Sequence, residues 1–435
     1  MNLDATPPPS FLSSDGRRIV FVKFIWARHS IEIDVGAQTV AANSSICFDQ
    51  MFEGHPVVDL GAGDGSILSA AVDGKKVGWG EVLSPYSDRF PDGGLPVTSY
   101  RVLDRSLPPG RHVFSSRNLV EGGFRFPTGA QVEGYFEMSD DESRSGSGGR
   151  PFLERYLPAN LEFDRHPSIW HVSIVGTSKP HSLFSNGSFH GDDGFRWTIA
   201  FPSYFTSSSP FLLILPRSEA MTRTFFAHTP KDTSIRVDVV SSHSSSGDAI
   251  DDFKDPVRGI LVDLHSHFGP FPFERLLICS AAGSLRPMEY SAAVVSSLST
   301  LGHELSHCYF GRSVSPVDGD AGWIDEGIAA WYSEGVGPIA GPLPMPKDTY
   351  IGAMSPYRRF TDPQAWKGGL PKGVIALLDF LLSDKGGMSR FLTTLMAADP
   401  HASLTSHGFQ QRIEQFAQRS FAEEVFDRYV FVHSS

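Results

Sequence analysis

The chain has 435 residues, 40% hydrophobic and 20% charged, an ordinary globular composition with room for two or three domains. Lys and Arg total 37 against 49 Asp and Glu, and the net charge of −12 repels phosphate backbones and anionic bilayers, so no nucleic-acid partner is expected. Cys47, Cys279 and Cys308 are too few and too scattered for a disulfide framework or a CxxC clamp, and no stretch has signal-peptide or membrane-span character. A cytoplasmic protein without membrane insertion is expected.

From about Arg17 to Phe136 the sequence breaks into short alternating runs separated by Gly, Pro, Asp and Asn, which predicts strands at Ile19–Trp26, Ser30–Val35 and Gln131–Phe136. The run Pro56–Gly65 resembles the glycine-rich first motif of S-adenosylmethionine methyltransferases, with Glu81 placed as a ribose carboxylate. That motif requires a following helix, and Ser66–Val72 is barely two turns long, so a Gly-rich hairpin in a β domain is expected and a methyltransferase is kept as an alternative. Ser139–Gly149 has no apolar residue and reads as a loop. Strands follow at Ile169–Val175 and Phe211–Leu215, then a linker-like Ser241–Gly247.

After Asp248 the apolar spacing becomes helical. Helices are predicted over Ala292–Tyr309, Asp325–Glu334 and Gly373–Leu382. The first contains His303-Glu304-Leu305-Ser306-His307, an HExxH sequence expected by chance only ~0.03 times in such a chain. Four residues at ~100° each bring both imidazoles to one helix face, where they can reach one metal ion. Glu304 is offset from them and is placed to take a proton from a water at the metal. A catalytic zinc needs a third protein ligand. Glu326, nineteen residues beyond His307, is the candidate.

Glu326 stands in Trp323-Ile324-Asp325-Glu326-Gly327-Ile328-Ala329, and with the HExxH it resembles the gluzincin metallopeptidases of the aminopeptidase N and leukotriene hydrolase family. The likeness runs from about Arg150 to Met396. It includes Phe268–Glu274, Tyr156–Asp164, His181–Gly187 and Met288-Glu289, which falls where the family carries its amine-binding motif. The resemblance implies that Glu289 holds the substrate's amino terminus. Three features depart from the pattern. Arg286-Pro287 replace a Gly-Ala pair, and proline removes an N–H from the substrate-edge strand. Leu370 stands where the family has its transition-state tyrosine, leaving Tyr350 and Tyr357 as candidates for that role. The chain ends at Ser435, which implies a short form without the large C-terminal helical domain, of a length that also suits the glycyl aminopeptidases.

The resulting expectation is an α+β protein, with an N-terminal antiparallel β domain over residues 1–240 and a thermolysin-like, mostly helical catalytic domain over 241–435. His303, His307 and Glu326 would bind one zinc per chain, Glu304 would be the catalytic base, Glu289 the substrate anchor, and peptides or proteins the substrates. A catalytically weak zinc protein that binds peptides is the nearer alternative.

Overall fold

Residues 23–50 alternate apolar and polar side chains, so one face of each strand can be buried while the other stays wet. They form a long antiparallel hairpin, β1 (Lys23–Asp34) and β2 (Thr39–Gln50), turned through Gln38 in the left-handed region at φ 57°. The computed structural model describes residues 10–58, 67–83, 99–121, 134–136, 156–158, 164–229, 234–242, 248–280, 287–316, 321–343, 351 and 369–431. The loop expected at Ser139–Gly149, most of the glycine-rich run before Gly65, the linker-like stretch after Ser242, Tyr350 and Tyr357 lie outside the described residues.

The hairpin sits inside an eight-stranded sheet with β3 (Ile67–Val72), β4 (Gly110–Glu121), β5 (Ser168–Val175), β6 (Arg196–Phe201) and two short strands. The N-terminal half is β-rich, as expected, but it is not purely antiparallel. Strand β5 pairs in parallel with β1, Ser168 opposite Ala27, and Ile19–Phe21 pairs in parallel with His55–Val57. Only hairpin neighbours are obliged to run antiparallel, and these partners meet after long crossovers. The strands on either side of the glycine-rich run, His55–Val57 and β3, belong to different sheets. The methyltransferase alternative fails at the same place: Ile67–Val72 is a strand paired with β4, where a nucleotide-binding motif needs a helix.

A second sheet carries the site. Its order is β7 (Ala220–His228), β8 (Ser234–Ser242), β9 (Arg275–Ser280), β11 (Ala293–Ser296) and β10 (Met288–Tyr290), with β8, β9 and β11 mutually parallel and β10 at an edge. The expected division at residue 240 falls inside β8, so this sheet begins earlier, at Ala220. One face, with Val237, Val239, Leu276, Ile278 and Val294, packs against α1 (Lys254–Phe268) and α2 (Leu301–Tyr309). The other, with Val240, Leu277, Cys279 and Val295, packs on Phe211, Leu213 and Leu215. The helices continue with α3 (Gly322–Ser333), α4 (Leu370–Leu381), α5 (Gly387–Ala398) and α6 (Ser406–Ala417). The helix expected from Ala292 therefore begins only at Leu301. Val294 and Val295 both fill the interior of a strand, and the intervening serines make a turn in which Ser296 Oγ and Thr300 Oγ1 lie 2.9 Å apart and the Leu298 N–H donates to Asp248 Oδ2 at 2.7 Å. Among the described residues no helix is long and apolar enough to cross a membrane.

Candidate metal centre

Helix α2 holds His303 and His307 because their neighbours on the inner face, Leu301, Leu305 and Cys308, are wholly buried against the sheet and α1, which fixes the rotation of the helix about its axis. The two Nε2 atoms lie 3.1 Å apart. Helix α3 brings the third group. Its Trp323 is fully buried and donates from Nε1 to Ser406 Oγ of α6 at 3.0 Å. Gly327 lets α3 approach the start of α4 so closely that a Cβ there would stand 3.1 Å from the Pro371 carbonyl. So placed, Glu326 sets Oε1 at 3.7 Å from His303 Nε2 and Oε2 at 3.5 Å from His307 Nε2.

The spacing suits a small tetrahedral cation. Donors ~2.0–2.1 Å from a zinc ion at tetrahedral angles stand ~3.3–3.4 Å from one another, and here the two Nε2 atoms are 3.1 Å apart, with one Glu326 oxygen 3.7 Å from His303 Nε2 and the other 3.5 Å from His307 Nε2. Tautomers support the same fit. His307 Nδ1 bonds to Asp325 Oδ1, a carboxylate that only accepts, so a ring proton belongs on Nδ1 and Nε2 is the nitrogen that faces the cluster. His303 Nδ1 is likewise engaged, 3.2 Å from Ser333 Oγ. The two Nε2 atoms thus face each other across a gap that a proton on one of them, or a shared cation, would bridge.

Asp325 reaches His307 only because residue 311 is glycine: Gly311 has φ 131°, and a Cβ there would fall 2.5 Å from Asp325 Oδ2. Burial pushes the Asp325 carboxyl up, against the opposing pull of His307. Burial alone would lower His307, but Asp325 and Glu289 beside it hold its pKa well above the ordinary histidine value. His303 is lowered, by burial first and then by His307.

Glu304 is 5% exposed, and burial, reinforced by Glu289, pushes its carboxyl up to about 8. A carboxyl in that range holds a proton near neutrality and releases it when a dication is added beside it.

Glu289 lies on the edge strand β10, as the resemblance implied, but not as a lone carboxylate. Arg312, in the turn after α2, donates from Nη2 to Glu289 Oε1 at 2.8 Å. Burial works to raise Glu289, and His307 and Arg312 outweigh it and keep the carboxyl below its usual value. Glu289, His307 and Asp325 form a second set with ligand atoms within 4.8 Å of one another. Both of its carboxylates already have partners, in Arg312 and in the Nδ1 side of His307.

Leu370 is buried in the first turn of α4. Tyr332, on the ligand helix, donates its hydroxyl to Asp263 Oδ2 at 2.6 Å. Cys308 is buried with Sγ 3.6 Å from the Tyr290 carbonyl oxygen, so the thiol behaves as a core residue. Sequence reasoning passed over Asp325 and Arg312. Asp325 was visible only as the neighbour of Glu326, and Arg312 only as a cation in the segment Phe310–Val314.

No family model matches the sequence, and no curated protein matches it. Solved structures do. An M1 zinc metallopeptidase from Deinococcus radiodurans superposes with a TM-score of 0.64 at 15% identity, covering 95% of this chain and 94% of that one. A substituted form of an M1 zinc metallopeptidase from the same organism, bound to a Tyr-Ser-Ala substrate, gives 0.63 at 16% identity over 99% and 98% of the two chains. Yeast LTA4 hydrolase in complex with bestatin gives 0.62 at 11% identity, covering 93% of this chain and 66% of that one. At these identities the likeness is one of fold.

Proposed function

We propose that this chain is a zinc-dependent metallopeptidase of aminopeptidase type, in which His303, His307 and Glu326 hold one zinc ion. The observation that carries the reading is the convergence of the two Nε2 atoms, 3.1 Å apart, with the Glu326 carboxylate, whose two oxygens lie 3.7 and 3.5 Å from them, while the far nitrogen of each histidine is engaged by Asp325 or Ser333. The fold shared with M1 zinc metallopeptidases and LTA4 hydrolase supports it. In this reading the catalytic part is thermolysin-like and runs from the hairpin at Ala220 onward, the β-rich region precedes it, and the protein works in the cytoplasm on peptides.

Zinc, when bound there, polarises the scissile carbonyl and acidifies a coordinated water. The protein's own residues do the rest. Glu304, buried next to the cluster, accepts a proton on its carboxylate as the water attacks and passes it to the leaving amine nitrogen. Asp325 keeps His307 in the Nδ1–H tautomer, so its lone pair stays directed at the cluster. Glu289 offers an oxygen to the substrate's ammonium group, and β10, the outermost of the described strands in its sheet, is the edge along which an extended peptide would pair. Pro287, just before that strand, removes one N–H from the edge. Tyr350 or Tyr357 supplies the hydroxyl that steadies the developing oxyanion.

Metal analysis of the purified protein together with hydrolysis of free and N-blocked peptides tests the reading. One zinc per chain with turnover sustains it, and turnover without zinc defeats it. Zinc without turnover would instead favour a zinc protein that binds peptides, a second reading that Leu370 supports by standing buried where the resemblance expects a phenol.

A further inference from the structure

We propose that Arg312 is the positioning residue for Glu289, and that Ser208 of the N-terminal β-rich region holds Arg312 in place, so that recognition of a substrate's free amino group depends on both halves of the chain. The inference rests on the peptidase reading above.

The Arg312 side chain is 4% exposed, and its two terminal nitrogens reach different elements. Nη2 donates to Glu289 Oε1 on β10 at 2.8 Å, and Nη1 donates to Ser208 Oγ at 2.7 Å. Its backbone is pinned as well: the N–H donates to the His307 carbonyl at 2.9 Å, and the carbonyl accepts from Ser291 Oγ at 3.3 Å. The end of β10 and the 206–209 turn are in turn joined to each other. The Ser291 N–H donates to Ser209 Oγ at 3.0 Å, and Asn186 Nδ2 donates to the carbonyls of both Ser209 and Ser291 at 2.7 Å.

This arrangement does to Glu289 what Asp325 does to His307. A glutamate has three side-chain torsions, and an unbraced one must be ordered at each binding event. With Oε1 committed to Arg312, the carboxylate is ordered before the substrate arrives, and Oε2 remains for an ammonium group. The guanidinium also supplies the cation that a largely buried carboxylate needs beside Asp325, Glu304 and Glu326. Lysine could supply the charge but not a planar fork that serves Ser208 and Glu289 at once.

The test measures binding apart from turnover. Zinc-loaded E304Q protein, alone and combined with Arg312→Met, Arg312→Lys or Ser208→Ala, is titrated calorimetrically with Leu-Gly-Gly and with its N-acetylated form, while zinc content and far-UV circular dichroism are followed. With Arg312 present the free peptide should bind roughly 10–100-fold more tightly than the acetylated one. Arg312→Met should bring that ratio to within about threefold of unity, Arg312→Lys should keep part of it, and Ser208→Ala should lower it by less than Arg312→Met does. Retention of the full ratio in Arg312→Met overturns the proposal. Should that variant not fold, the full ratio in both Arg312→Lys and Ser208→Ala overturns it instead. Equal binding of the two peptides with Arg312 intact, zinc being present, also overturns it and leaves the zinc reading standing. Absence of zinc from the parent protein removes the peptidase reading and this inference together.

Discussion

Replacing Glu304 by glutamine separates two effects of the same carboxyl. In the metal-free protein its pKa is raised from 4.5 to about 8, burial being the main cause. Between those values the folded chain holds a proton that the unfolded chain has released, so folding stability falls as pH rises through the window, and the contribution is intact below pH ~4.5. At ~1.4 kcal/mol per unit, keeping this buried group costs on the order of 3 kcal/mol at pH 7. Glutamine has the same shape without the ionisation. Urea unfolding of the chelator-treated proteins should therefore show E304Q gaining on the parent from pH 5 to pH 8, with the gap closing once zinc is restored, because a dication favours the carboxylate. The same variant should retain one zinc per chain and lose ~10²–10⁴-fold in hydrolysis. Parallel stability curves for the two proteins would refute the electrostatic argument, and unchanged turnover would refute the assignment of the base.

Other expectations follow from neighbouring residues. His303→Ala/His307→Ala should abolish zinc binding, and full occupancy in that double variant, read by metal analysis, would remove the site. Gly311→Ala should displace Asp325 from His307 and weaken zinc binding by ~10–100-fold, as Asp325→Asn should, measured by chelator competition; equal affinity in both would show that the carboxylate does not tune the ligand. Phenylalanine at both Tyr350 and Tyr357 should lower turnover with little change in zinc content if either supplies the oxyanion hydroxyl, and unaltered hydrolysis would show that neither is used. His29 is buried against Trp170 with its pKa lowered to about 3, burial first and His166 second. The unfolded chain therefore binds the extra proton, and stability should fall by ~1.4 kcal/mol per unit as pH drops below ~6.5. A His29→Gln protein should show a shallower acid limb in urea unfolding.

How far the molecule could be read from its sequence depends on how local each interaction is. The two histidines share a helix face through geometry that spans four residues, and no tertiary information is needed to see it. Glu326 is harder, because nineteen residues of spacing say nothing of distance, and only the Trp323–Ala329 setting pointed to it. What brings it in is packing at remote sites: Trp323 on Ser406 and Gly327 against Pro371. The parallel pairing of β1 with β5 was invisible for a related reason. Alternation marks a strand's buried face, not its partner, and these partners lie some 140 residues apart in chain order. Val294 and Val295 suited a strand and a helix equally well, and the serines that follow decided for a turn by bonding to one another and by leaving the Leu298 N–H to Asp248.

The least legible feature is the pairing of Glu289 with Arg312. In the sequence Glu289 stands as a carboxylate with no visible partner, tied to an amino terminus by the resemblance alone. Its partner Arg312 is 23 residues away, and the serine that holds Arg312 is 104 residues from it, in the opposite half of the chain. A carboxylate bonded to a guanidinium is a weaker field for an ammonium group but a better-ordered acceptor. Orientation and charge thus act in opposite directions at Glu289. If orientation is the larger, deleting the Arg312 cation lowers the preference for free amines; if charge is the larger, the same deletion raises it. The close fit of Arg312 between Ser208 and Glu289, with its backbone tied to the end of the helix that carries His307, argues for orientation, since a counter-charge to Glu289 would need neither the Ser208 bond nor the backbone tie.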